Sequence, residues 1–164
     1  MQQITVLGVI INDRLSASDH INYLITSSAR LLYVLRMLRA HGFPLQSLND
    51  VYRATVQAKF LYAAPAWFGF CTARDEVRLN SFLRRCRKLG YSDGSMAFED
   101  MFAETDEQLF TNHVGLLHRL LTPPATASHH YNLRSRRHTL QLPEHHTRLL
   151  DSNFLVRMLY KNSH

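Results

Sequence analysis

Cysteine is scarce: Cys71 and Cys86 are the only two in 164 residues, and they form no CxxC pair. A disulfide framework needs more thiols than this, so the expected compartment is a reducing, intracellular one. Long apolar runs are missing as well. None reaches the roughly 18 residues that span a bilayer. Met1-Gln2-Gln3 lacks the basic start and apolar stretch of a secretory signal, so neither export nor a membrane partner is expected. No Asp-Asp pair occurs, and no nucleophile elbow, phosphate loop or HExxH motif. Histidine, by contrast, is frequent, with His129, His130, His138, His145 and His146 crowded near the C-terminus. The cysteines lie far from these, and no H-x-D or H-x-E pair is present, so the pattern is a polar segment rather than a zinc or iron site. No metal and no cofactor is expected.

What is present is apolar content of 46 % and a net charge of +6. The first is enough for a chain of this size to bury a core. The second attracts polyanions, of which nucleic acid is the commonest inside cells. Ile4–Ile11 (ITVLGVII) is rich in β-branched residues, is apolar on both faces and closes at Asn12-Asp13, which predicts one strand covered on both sides. No later segment reads as its partner, so its neighbours are expected on a part of a longer polypeptide.

Helical periodicity follows. Ser16, Ser18 or Asp19 can cap a helix carrying Ile21, Leu24, Ile25, Leu32, Leu35 and Leu38, which ends at His41-Gly42. Pro44 suits the first turn of a second helix through Leu48, Val51, Tyr52, Phe60 and Leu61, broken near Pro65. Thr72 and Asp75 resemble a capping box, opening a third helix with a stripe of Leu79, Phe82, Leu83, Cys86 and Leu89, closed by Gly90. The expected fold is mainly α: a three-helix bundle over 16–90 behind a strand over 1–15. Beyond it come an acidic helical extension over 91–122 and a flexible His/Arg-rich basic tail over 123–164. The extension should hold a short and a longer helix, stopped by Pro123-Pro124. Within the tail, FLVRMLY (154–160) can form a closing short helix.

Three segments carry a resemblance. Val6-Leu7-Gly8-Val9 with Asp13-Arg14-Leu15-Ser16 and Asp19-His20-Ile21 is the first, and Tyr62-Ala63-Ala64-Pro65-Ala66-Trp67 the second. The third is Tyr131-Asn132-Leu133-Arg134-Ser135-Arg136-Arg137-His138 with Asp151-Ser152-Asn153-Phe154 and Arg157-Met158-Leu159-Tyr160. In order and spacing they resemble the C-terminal region of non-LTR, jockey-like retrotransposon reverse transcriptases: a primer-grip strand, the thumb and the terminal tail. The resemblance implies a non-catalytic C-terminal part of an RNA-directed DNA polymerase whose thumb grips primer–template. The metal-binding aspartates of such a polymerase lie upstream of the matching region, so the chain by itself is not expected to be an enzyme.

Arg74, Arg78, Arg85 and Lys88, with Ser81, share one face of the third helix. Arg84 borders it and Arg87 lies further round. A basic helical face can follow phosphates, although a solvated surface gives the same pattern. Arg134, Arg136 and Arg137 form a second cluster, a nucleic-acid or import patch or a solvated tail. Tyr62, Trp67, Phe68 and Phe70 are expected to cover the bundle core rather than stack on bases. The competing functional class is a helical protein–protein interaction module with no nucleic-acid role.

Overall fold

The computed structural model describes residues 2–92, 98–117, 120–121, 140–143 and 147–161, with backbone alone at 98–99 and 113–117. The chain is mainly helical with a small N-terminal sheet. That sheet corrects the single-strand expectation. Ile4–Ile11 folds back on itself as a hairpin of β1 (Gln3–Val6) and antiparallel β2 (Val9–Asn12), with Val6 paired to Val9. Leu7 and Gly8 form the two-residue turn at φ 46° and 82°. Both are positive, as a type I′ turn requires, and its twist matches that of the strands it joins. β1 is exposed along its whole length, whereas β2 buries Val9 and Asn12.

Asn12 organises the exit from the hairpin. Its Oδ1 accepts from the backbone N–H groups of Arg14 and Ser16 at 3.1 and 3.0 Å, and its Nδ2 donates to Asp19 at 3.2 Å. α1 (Ser18–Ala40) then begins at Ala17 without a side-chain cap, so none of Ser16, Ser18 and Asp19 serves as one. Asp19 lies in the first turn and Ser18 turns its hydroxyl to Asp75 instead. α1 ends at His41, followed by Gly42 at φ 85°.

Pro44 caps α2 (Leu45–Tyr52), which runs through a π turn (Arg53–Gln57) into α3 (Ala58–Leu61). This helix ends near Pro65, as expected, but not at it. The break comes earlier, at Ala63 with φ 50°, and Pro65 lies in the first turn of α4 (Ala64–Trp67), where its missing N–H costs nothing. A 3₁₀ turn (Phe68–Phe70) leads to α5 (Ala73–Lys88), which opens on the expected Thr72/Asp75 capping box and closes at Gly90 with φ 80°.

The core joins these elements. Leu24, Leu32 and Leu35 from α1, Leu48 and Tyr52 from α2, Phe60, Leu79, Phe82 and Cys86 are buried together. Trp67 is also buried, edge-on to His20 at 5.3 Å and to Phe102 at 5.3 Å. Phe68 stacks on Phe102 at 4.3 Å, so the aromatic cluster joins the bundle to α6 (Phe98–Leu117). Tyr62 departs from that cluster and donates from its hydroxyl to the Leu7 carbonyl at 3.0 Å.

The C-terminal stretch is not wholly a tail. α7 (Arg148–Ser152) and α8 (Phe154–Tyr160) are helical, and Val156, Met158 and Leu159 are buried. Arg157 pairs with Asp106 of α6 at 3.0 Å and Lys161 with Glu107 at 3.0 Å. The close approach has a glycine behind it: a Cβ on Gly69 would stand 2.1 Å from the Ser152 carbonyl oxygen. Among the described residues no helix is long and apolar enough to cross a membrane.

Candidate nucleic-acid interface

α5 owes its rigidity to its two ends and its inner face. Thr72 Oγ1 accepts from the Asp75 N–H at 3.3 Å while Asp75 Oδ2 accepts from the Thr72 N–H at 3.2 Å, which satisfies donors that a helix start leaves free. Asp75 also accepts from the hydroxyls of Thr72 and Ser18, each at 2.6 Å. Burial pushes its carboxyl up, but these hydrogen bonds and the Arg78 guanidinium prevail and hold it below the ordinary carboxylate value. Leu79, Phe82 and Cys86 fix the inner face.

The six cations expected on this helix do not behave alike. Arg78 is engaged: it donates to Asn22 Oδ1 at 2.9 Å and to Asp75 Oδ1 at 3.5 Å, tying α5 to α1. Arg84 folds along its own helix, donating to the Asn80 carbonyl and Ser81 hydroxyl at 3.3 and 3.5 Å. Arg74, Arg85, Arg87 and Lys88 are exposed, and their side chains have no partner among the described residues. Arg74 and Arg85 are three turns apart and Lys88 is one turn beyond, so these three lie on one side, spanning about 21 Å at 1.5 Å per residue. That length corresponds to roughly six base-pair steps measured along a duplex axis at about 3.4 Å each. Arg87 points to a different side. The last-turn cations Arg85, Arg87 and Lys88 also oppose the helix dipole, a benefit of about 0.3–1 kcal/mol each that needs no ligand. Arg74, in the first turn, has no such structural benefit.

Arg134, Arg136 and Arg137 lie outside the described residues. Both thiols are shielded: burial, with help from Asp75 and Glu76, pushes Cys71 up to about 12, and burial pushes Cys86 up to about 11. Both therefore stay protonated and poorly nucleophilic at neutral pH. Among the described residues no group of three or more His, Cys, Asp or Glu could hold a metal ion.

Sequence periodicity alone did not reveal two further basic positions, Arg14 and Arg148, which line one cleft although they are 134 residues apart. No local signal in the sequence joins them.

The chain was compared with protein-family models, curated proteins and solved structures. None matches.

Proposed function

We propose that the chain is a non-catalytic nucleic-acid-binding module of retrotransposon reverse transcriptase descent, in which α5 follows the phosphates of a primer–template-like duplex. One observation carries the reading: Arg74, Arg85 and Lys88 stand exposed, without a side-chain partner among the described residues, along one side of a helix beside its buried face. Rigid placement matters because flexible cations lose side-chain entropy when they contact phosphate. The ordered resemblance of three segments to jockey-like reverse transcriptases supports the descent. The lack of an Asp-Asp pair supports a binding rather than a polymerising role.

The deciding experiment measures binding to duplex and RNA–DNA hybrid across salt concentrations, for the parent and for the Arg74→Ala/Arg85→Ala/Lys88→Ala variant. Affinity should drop about equally for all base sequences, since backbone contacts carry no direct sequence information. The slope of log affinity against log salt should fall by roughly 0.9 per lost contact on B-DNA. An unchanged affinity and slope would reduce the face to solvated surface.

A second reading rests on a different observation. The hairpin exposes Ile4 at 62 % and Leu7 at 85 %, with β1 at an open sheet edge, as a protein-docking surface would. Partner binding through this surface should be nearly indifferent to salt, which separates it from phosphate binding.

A further inference from the structure

Three stretches remote in sequence wall one open cleft of about 230 Å³: residues 14–16 after the hairpin, residues 69–72 leading into α5, and α7. The volume lies below the roughly 300–1,000 Å³ of ordinary small-molecule sites, so a small ligand fits it best. Arg14 and Arg148 both line it, both are exposed, and neither guanidinium has a partner among the described residues. Arg14 donates its backbone N–H to Asn12 Oδ1, and the Arg148 carbonyl accepts from Ser152 Oγ.

The hydroxyl side chains among the described lining residues are already engaged. Ser16 Oγ pairs with Ser18 Oγ at 2.9 Å, Thr72 Oγ1 donates to Asp75, and Ser152 Oγ donates to the Arg148 carbonyl. Among the described residues no Asp or Glu lines the cleft, and the Cys71 thiol in its wall is uncharged at neutral pH. Among the described lining residues the free side-chain hydrogen-bonding capacity is therefore the five N–H groups of each of two cationic forks. Donors alone, with two positive charges, select an anion. The walls are also placed in advance: Asn12 fixes the 14–16 loop, and the Gly69–Ser152 approach sets α7 directly on the 3₁₀ turn.

We propose that this cleft binds a phosphate group, held between the guanidinium groups of Arg14 and Arg148. Phosphate suits the site better than carboxylate because a monoester brings nearly two negative charges and three acceptor oxygens, enough for both forks at once. The group can belong to a mononucleotide or to the end of a nucleic-acid strand.

Calorimetric titration of the full chain tests this with inorganic phosphate, adenosine monophosphate and acetate. Phosphate and the nucleotide should bind saturably, with acetate about tenfold weaker or worse. Arg14→Met/Arg148→Met should weaken phosphate binding by about tenfold or more. So should Leu149→Glu, which sets a carboxylate at a half-exposed position in the lining and leaves both arginines in place. Arg30→Met/Arg36→Met, at exposed cations of α1 outside both the cleft and the α5 face, should leave phosphate binding unchanged. An oligonucleotide with and without a 5′-phosphate distinguishes the sources: a gain from the phosphate that Arg14→Met/Arg148→Met abolishes assigns a strand end, and no gain assigns a mononucleotide. Absence of saturable phosphate binding by the parent, acetate binding as tight as phosphate, or a double variant as tight as the parent would each overturn the proposal.

Discussion

The Arg157 guanidinium meets the Asp106 carboxylate at 3.0 Å, joining α8 to α6 across 51 residues of chain. Both groups are largely withdrawn from water, at 23 % and 9 % side-chain exposure, and Arg157 also reaches the Pro65 carbonyl at 3.4 Å. Its Nε is buried with no hydrogen-bond partner among the described residues. Burial pushes the Asp106 carboxyl up while Arg157 and Lys161 draw it down, and burial prevails. Removing Arg157 therefore strands a buried carboxylate. Arg157→Met should cost about 3–5 kcal/mol at neutral pH, and Asp106→Asn/Arg157→Met markedly less than Arg157→Met alone. The single variant should recover stability as pH falls, because a carboxyl whose folded value is raised favours folding once protonated. Urea midpoints at about pH 7 and about pH 5 check both statements. An Arg157→Met deficit that stays constant between them would show that the buried charge is not the cause.

Two other buried groups set the acid side of the stability curve in separate windows. Burial holds the His20 imidazole below its ordinary 6.5, its Nδ1 accepting from the Ile10 N–H at 3.4 Å and its Nε2 buried without a hydrogen-bond partner among the described residues. The folded chain then binds this proton less readily than the unfolded chain, so stability is complete above 6.5 and declines as pH falls beneath it. Asp75 acts lower. Its folded value lies under the ordinary 3.8, so its contribution is present above that value and is lost as pH falls through the folded one. His20→Gln should flatten the decline between about pH 7.5 and about pH 5.5. Asp75→Asn should cost about 1–3 kcal/mol at neutral pH, with the gap to the parent closing only in strong acid. Thermal midpoints across pH for the three proteins check the assignment.

The bundle could be read directly from residue spacing. Leu24, Leu32, Leu35, Tyr52, Phe60, Leu79 and Phe82 recur at helical steps and are buried, and Leu83 packs partly buried beside them. Periodicity reports which side of a helix faces inward, and the two capping residues of α5 are local enough to show in four letters. The hairpin did not show, because ITVLGVII alternates nothing and its turn begins with leucine instead of the Asn-Gly that usually marks such turns. The docking of α8 did not show either, since a salt bridge between positions 106 and 157 leaves no local pattern. At the candidate interface, spacing placed the cations on α5 correctly but gave Arg78 and Arg85 equal standing. Whether an arginine faces a partner or water depends on the neighbouring helix, which a single helical pattern does not contain.

Leu7 occupies the first central position of the hairpin turn at φ 46° and is 85 % exposed. A branched apolar side chain is strained in that region and gains nothing from burial there. Asparagine tolerates it, and Asn-Gly is the preferred type I′ pair. Leu7→Asn should therefore stabilise the chain by up to about 1 kcal/mol and remove an exposed apolar group from the tip. The backbone carbonyl that Tyr62 Oη contacts at 3.0 Å is retained. A higher thermal midpoint with less concentration-dependent light scattering is the expected outcome. A lower midpoint would mean that the Leu7 side chain contributes to packing its exposure does not reveal.

Arg78 and Arg85 lie seven residues apart, two helical turns, yet their surroundings differ. Arg78 donates to Asn22 and Asp75 and so links the starts of α1 and α5, with its side chain 38 % exposed. Arg85 has no side-chain partner among the described residues. Arg78→Ala should therefore act mainly on the fold. It removes two hydrogen bonds with charged character and leaves Asn22 to water, a loss of about 1–3 kcal/mol. Its effect on the salt dependence of nucleic-acid binding should be small, because a guanidinium engaged within the protein is less available to displace counterions. Arg85→Ala should do the reverse: a stability change within about 0.5 kcal/mol, with a loss of roughly 0.9 in the log–log salt slope on B-DNA. Measuring urea midpoints and salt slopes on the same two proteins gives a crossed comparison in which each variant controls for the other. If both variants lower the slope equally, the phosphate path includes the α1–α5 contact, and Arg78 exchanges Asn22 for phosphate on binding. If neither lowers it, α5 is held rigid for packing alone, and the exposed hairpin becomes the surface to examine.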